Sequence, residues 1–217
     1  MRPKVIYCYD AYCGWCYGFS PVIKELYFKY KDSFDFETLS GGMIPKESTK
    51  HIASIAEYIR GAYKTVENMS GITFGEDFLW HIFNPEQSDW YPNSEMAAIA
   101  MAIFREFEPA RTVEFASGLQ EALYMEGRDL TDKEAYRQLV SGFGIDPEVF
   151  LKRLSDETDK EKAYYDFSLV KQLNVNGFPT VFLQLEESKL YMIARGYSDL
   201  VSVESRINKI MAEINVK

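Results

Sequence analysis

Two cysteines separated by two residues, Cys13-Gly14-Trp15-Cys16, are the side chains of this sequence best suited to covalent chemistry. At that spacing the two thiols can close a small disulfide loop, and the segment that follows has helical composition. A sulfur at the start of a helix meets unpaired backbone N–H groups and the positive end of the macrodipole, which favour negative charge there. The expectation is that Cys13 attacks a disulfide sulfur as the thiolate, and that Cys16, one turn further and more buried, resolves the mixed disulfide. A C-x-x-C pair is otherwise half of a zinc site, which needs two more ligands. Outside the pair the sequence offers Cys8, His51 and His81, with no second C-x-x-C and no H-x-x-x-H, so no metal is expected.

The secondary structure around these thiols follows from the hydrophobic pattern. Residues 4–9 are β-branched and aromatic and predict a strand that stops at Asp10. A helix is predicted from about Cys13 to Tyr30, with Val22, Ile23, Leu26, Tyr27 and Tyr30 recurring on one face. Pro21 inside it should bend the axis. Residues 34–39 alternate as a second strand, ended by Ser40-Gly41-Gly42. From about Pro45 to Ser155 the strand signal disappears, and helices are predicted over 51–64, 94–107, 111–126 and 132–140. A helix over about 156–173 then leads to a hairpin of strands 180–185 and 190–193. A last helix is predicted from Ser198, as N-cap, to Val216, with Leu200, Val203, Ile207, Ile210 and Ile214 on one side. This order, a parallel β-α-β crossover and later an antiparallel hairpin, is the α/β plan of a thioredoxin fold interrupted by a large all-helical insertion. The expected division is a thioredoxin-like domain of residues 1–44 and 155–217 carrying an inserted helical domain, 45–154.

A second motif, Asn176-Gly177-Phe178-Pro179-Thr180, stands just before the third strand. In isolation a proline at a strand entry reads as an ordinary turn. On a thioredoxin-type sheet this loop faces the cysteines, and a cis bond at Phe178–Pro179 would leave the Phe178 backbone free to pair with an extended substrate beside Cys13.

Together, Cys13-Gly14-Trp15-Cys16-Tyr17-Gly18 after Asp10 and Gly177-Phe178-Pro179-Thr180 after a helical insertion resemble the DsbA-like thioredoxin-fold superfamily. Ser40-Gly41-Gly42-Met43 and Glu126-Gly127-Arg128-Asp129-Leu130 are similar to its FrnE-like branch of cytoplasmic protein-disulfide isomerases. The resemblance implies a thiol-disulfide oxidoreductase or protein-disulfide isomerase with Cys13 as nucleophile, Cys16 as resolving thiol and Pro179 as the cis-proline. Gly14, Trp15, Phe178 and Thr180, within the same motifs, are the expected substrate-binding positions. It implies no bound cofactor beyond a redox-active Cys13–Cys16 disulfide, with protein or peptide thiols and disulfides as partners and glutathione as a candidate co-substrate. One departure matters: Gly14-Trp15 lacks the histidine that lies between the cysteines of strong oxidants such as DsbA, so an equally oxidising potential is not expected. Related glutathione-dependent isomerases and kappa-type transferases usually lack the paired cysteines, and retention of both here favours dithiol chemistry. A non-catalytic metal- or protein-binding module is the remaining alternative.

Composition narrows the field further. With 33 Asp and Glu against 24 Lys and Arg, the formal charge of −9 opposes binding to nucleic acid or anionic lipid. At 47% hydrophobic residues there is ample material for a core, which excludes disorder as a global description. Three cysteines are too few for a disulfide-stapled secreted scaffold. The apolar run at 5–9 is short of a secretory core, and the longest run, Met96–Phe104, is short of the roughly 20 residues of a membrane span. A cytoplasmic protein with no membrane partner is expected.

Other residues carry weaker expectations. Asp10, three before Cys13, is a candidate proton relay for Cys16 or a loop former. Cys8 is read as a buried inert thiol, and His51 and His81 as surface or capping residues. Trp80, Trp90, Tyr91 and the many Tyr are candidates for a groove above Cys13, although aromatics at helical spacing are more often core. The acid cluster Asp156, Glu157, Asp159 and Glu161 reads as the solvated start of a helix.

Overall fold

Strands β1 (Lys4–Tyr9), β2 (Asp35–Ser40), β3 (Thr180–Glu186) and β4 (Lys189–Arg195) form one mixed sheet in the order β2-β1-β3-β4. They belong to a computed structural model that describes residues 2–215. β1 runs parallel to β2, with Lys4 opposite Asp35 and Tyr9 opposite Ser40, and antiparallel to β3, with Cys8 opposite Thr180. That register is what joins the two motifs. The end of β1, which leads into the dithiol, lies beside the start of β3, which Pro179 precedes.

Between β1 and β2 the chain crosses through α1 (Gly14–Tyr30), which passes Pro21 as one continuous helix. After β2 come α2 (Ala53–Ser70), α3 (Glu76–Phe83), α4 (Glu95–Phe107), α5 (Thr112–Tyr124), α6 (Arg137–Gly142) and α7 (Pro147–Arg153). Then α8 (Glu157–Gln172) leads into β3, and α9 (Leu200–Asn215) follows β4. Alternation along β1 separates two cores. Val5, Tyr7 and Tyr9 pack with α1 and α5, whereas Ile6 and Cys8 pack with Leu39, Phe182 and Val170 of α8. Helix α4 is buried from Ala97 to Phe104, and Phe104 stacks on Phe115 of α5 with ring centroids 4.0 Å apart.

The structure departs from the sequence expectations where the local signal is weak or a partner comes from afar. Helix α2 runs past residue 64 to Ser70, where Gly71 at φ 77° closes it in the left-handed conformation. Helices α3 and α7, of 8 and 7 residues, were not predicted, being too short to show a period. The stretch expected as one helix at 132–140 divides into a 3-10 turn, Lys133–Tyr136, and α6. Asp199, not Ser198, caps α9: its carboxylate accepts the Ser202 N–H at 2.7 Å. Val216 and the side chain of Ile214 lie outside the described residues. The acid cluster is not uniformly solvated. Asp156 caps α8 through the Thr158 N–H, while Asp159 is buried because Arg153 and Lys162 close on it at 2.6 and 2.9 Å. Among the described residues no helix is long and apolar enough to cross a membrane.

Candidate active site

Cys13 is the N-cap of α1, so its sulfur sits at the positive end of the helix and accepts the Cys16 N–H at 3.2 Å. The Cys13 thiol lies 3.5 Å from the Phe178 carbonyl oxygen, to which it donates. Cys13 keeps 6% of its surface exposed and Cys16 none. Both are free thiols, as is Cys8. Burial pushes the Cys16 thiol well above its usual range, and the Cys13 sulfur beside it adds to the shift.

The Phe178–Pro179 peptide is cis. Pro179 is buried, and its carbonyl accepts the Gly196 N–H at 2.8 Å. Thr180 is buried too, with its hydroxyl donating to the Gly177 carbonyl at 2.7 Å, so it faces the loop and not the open space beside Cys13. The Phe178 ring rests on Gly41: a Cβ there would lie 2.2 Å from it. Gly42 has φ +65°, and Phe167 fills the place of its side chain. The Gly41-Gly42 pair that reads in sequence as a strand stop is therefore also what lets two aromatic rings approach the backbone.

Over Cys13 opens a cavity of about 910 Å³. Of the four positions expected to bind substrate, Gly14, Trp15 and Phe178 line it and Thr180 does not. Ile55, Tyr58, Ile59 and Tyr63 of α2 form one wall, and Phe74, Phe78 and Tyr124 form the back. Lys171 is the one charged residue among those lining it. Trp80, Trp90 and Tyr91 are not part of it, contrary to the groove reading. Trp90 is buried and stacks on His81 at 3.8 Å, Trp80 packs edge-on against His81, and Tyr91 packs against His51. His51 stands at the start of α2, accepting the Ala53 N–H at Nδ1, and His81 lies within 2.8 Å of the Ser88 hydroxyl. Burial lowers the His81 pKa.

Asp10 is 2% exposed and fully engaged. Its carboxylate accepts the Met43 N–H at 2.8 Å, the Tyr12 N–H at 3.0 Å and the Ser94 hydroxyl at 2.9 Å. Its carbonyl accepts the Cys13 N–H at 3.1 Å and the Gln120 amide at 3.3 Å. Burial raises the carboxyl pKa against the pull of these donors. Asp10 thus ties the dithiol loop to the turn after β2, to the start of α4 and to α5. Ser94 and Gln120 were missed by sequence reasoning, because no local pattern marks residues whose partner lies far along the chain.

Cys8, on the opposite side of β1, is buried and its thiol is pushed up to about 12, chiefly by burial. Among the described residues no group of three or more His, Cys, Asp and Glu could hold a metal ion.

A dithiol at a helix N-cap, facing a proline loop across a β-α-β and β-β sheet, defines a thioredoxin-type protein, here with helices inserted after β2. The chain belongs to the DSBA-like thioredoxin domain family, which it matches over residues 4–208. It is similar to the cytosolic disulfide reductase DsbM of Pseudomonas aeruginosa, 20% identical, covering 96% of this chain and 98% of that one, with a TM-score of 0.77. A structure of DsbM with GSH is likewise similar, at 21% identity over 96% of this chain and 99% of that one, with a TM-score of 0.75. Among curated proteins it is similar to the ClpXP adapter protein SpxH of Bacillus subtilis (strain 168), 23% identical over 184 residues, 83% of this chain. The chain spans 58% and 57% of the length of the two SpxH proteins it matches.

Proposed function

We propose that the protein is a thiol-disulfide oxidoreductase in which Cys13 attacks and Cys16 resolves. The observation that carries this reading is the placement of the Cys13 sulfur, capped by the Cys16 N–H, at the edge of a cavity of about 910 Å³ with the second thiol sealed behind it. A substrate disulfide in the cavity meets Cys13 and cannot reach Cys16, so the order of attack follows from access. Cys13 forms a mixed disulfide and expels the first substrate thiolate; Cys16 then attacks the Cys13 sulfur and expels the second. The Phe178 carbonyl, 3.5 Å from Cys13, is the backbone group beside which an extended substrate would align, next to Pro179. Substrates are peptide or small-molecule disulfides with apolar groups, and glutathione is the candidate co-substrate, with Lys171 as the lining cation for a carboxylate. We place the activity in the cytoplasm, as its DsbM relative is described. Residues 1–44 with 155–217 form the thioredoxin-like unit, and 45–154 form the inserted unit whose α2 closes the cavity.

The test is equilibration with defined glutathione mixtures and quantification of protein thiols by mass. A two-electron couple that protects Cys13 and Cys16 together supports the dithiol reading, and its midpoint distinguishes reductase, isomerase and oxidant. A protein that stops as Cys13 glutathionylated overturns it in favour of glutathione-dependent transferase or isomerase chemistry. A second reading, favoured by the similarity to SpxH, makes the cavity a protein-binding site without turnover; it predicts partner capture that survives Cys13→Ser.

A further inference from the structure

On the dithiol reading above, on which this inference rests, the sealed Cys16 sulfur must be served by one of its neighbours. The titratable neighbours of Cys16 are Cys13 and Asp10 on its own loop, Tyr7 and Tyr9 on β1, and Tyr124 on α5. Asp10, the candidate relay by sequence, has both carboxylate oxygens occupied by Met43, Tyr12 and Ser94. Releasing one would undo the connection between the dithiol loop and α4. Tyr9 adjoins the Asp10 carboxylate, whose charge opposes a second negative group there. Tyr7 differs from both. It is 1% exposed, its ring is held by Tyr9 at 5.4 Å and Phe19 at 6.1 Å, and its hydroxyl has no well-formed hydrogen bond to any described atom. Phe19 follows Cys16 by one turn of α1, so the Tyr7 ring packs against the start of that helix in the same buried cluster as Cys16, and the nearby Cys16 sulfur opposes ionisation of the phenol. A buried, rigidly held phenol with no partner is costly and calls for an explanation. Catalytic hydrogen bonds are commonly misaligned in the resting state and tighten when charge develops.

We propose that Tyr7 is a further catalytic residue, whose hydroxyl donates a hydrogen bond to the Cys16 sulfur whenever that sulfur carries negative charge. In resolution, the Cys16 sulfur attacks Cys13 of the mixed disulfide Cys13–S–S–R, the Cys13–S–R bond breaks, and R–S⁻ leaves with the electron pair. The proton lost by Cys16 ends on that departing thiolate as RSH. Tyr7 keeps its own proton throughout and stabilises the Cys16 thiolate before the new S–S bond forms. In reverse, R–S⁻ attacks Cys13 and Cys16 departs with the electron pair into the same hydrogen bond. Tyr7 thereby gives the sealed thiol a polar partner without placing a second buried carboxylate beside it.

The experiment mixes reduced protein with glutathione disulfide, quenches with acid at intervals, and follows the Cys13 mixed disulfide and the internal disulfide by intact mass. Tyr7→Phe keeps the ring and removes the donor. Its mixed disulfide should form at the wild-type rate and decay about tenfold more slowly, the effect of one hydrogen bond to a charged group. Tyr7→3-fluorotyrosine keeps the fold and strengthens the donor, and its mixed disulfide should decay faster than wild type. Decay at the wild-type rate in Tyr7→Phe, or in the fluorinated protein should Tyr7→Phe not fold, overturns the role of Tyr7 and leaves the dithiol reading intact. If the wild type itself never passes from mixed to internal disulfide, both fall together.

Discussion

Cys8 and Cys16 are both fully buried thiols, and they lie on opposite sides of β1 with opposite surroundings. Around Cys8 are Ile6, Leu39, Val170 and Phe182, with the Asp166–Arg105 ion pair beyond, and no second sulfur. Around Cys16 are the Cys13 sulfur, the start of a helix, a carboxylate and an unpartnered phenol, with a cavity on the far side of Cys13. Burial raises the pKa of both thiols. Burial alone does not distinguish the two thiols; what sets Cys16 apart is a neighbouring sulfur that lines a cavity, and on the proposed function that neighbour is what makes it reactive.

The sharpest way to break this contrast is to remove each sulfur in turn. Cys13→Ser should abolish disulfide reduction to the uncatalysed background, whereas Cys8→Ser should retain the wild-type rate, both read in a coupled thiol-release assay. Loss of activity in Cys8→Ser would join the two sides of β1 functionally and defeat the comparison.

On the Cys8 side the structural group is the ion pair. Arg105 holds Asp166 through two bonds, 3.1 and 2.7 Å, and donates to the Thr38 carbonyl at 2.7 Å. Arg105→Ala leaves a buried carboxylate without its cation and should destabilise the fold by about 3 kcal/mol, read as a fall in the urea midpoint. The dithiol should still titrate as a two-electron couple in the folded variant.

On the Cys16 side the structural group is Asp10, and its signature is a pH dependence. Burial raises its folded pKa above the unfolded value of about 3.9, so the folded state holds this proton more tightly. The contribution to stability is present below the unfolded value and is lost as pH rises through the raised folded value. Asp10→Asn cannot make that loss. It should cost about 1–2 kcal/mol in acid through a mismatched hydrogen bond, and the gap to wild type should narrow as pH rises from 4 towards 7. Parallel urea midpoints across that range would contradict it.

The smallest effect is expected at Cys8 itself. With its thiol pushed up to about 12 and no exposed surface, Cys8 should resist alkylation in native protein at pH 8 and react once urea unfolds it. Cys8→Ala should cost only about 1 kcal/mol.

Much of this was legible from residue order. The dithiol, the proline loop, the β-α-β start and the closing hairpin each rest on local composition or spacing, and each is found within a residue or two of its expected place. The short helices α3 and α7 were not, because two turns do not establish a period. The aromatic lining of the cavity was legible only in part. Tyrosines were candidates as a class, but which of them line it, Tyr58 and Tyr63 of α2 and Tyr124 of α5, depends on how those helices pack over α1, and Trp80, Trp90 and Tyr91 lie elsewhere.

Residue order alone puts two thiols one helical turn apart at a helix start and a proline loop before a strand, because spacing and period act over a few residues. Which polar groups near Cys16 are already committed depends on packing. Asp10 is saturated only because Met43 and Ser94 arrive from other parts of the chain, and the Tyr7 hydroxyl, whose ring is packed by Tyr9 and Phe19, has no well-formed hydrogen bond among the described residues. Hydrogen bonds are short-ranged and each donor or acceptor has few places to fill, so their allocation is fixed by packing and cannot be read from residue order.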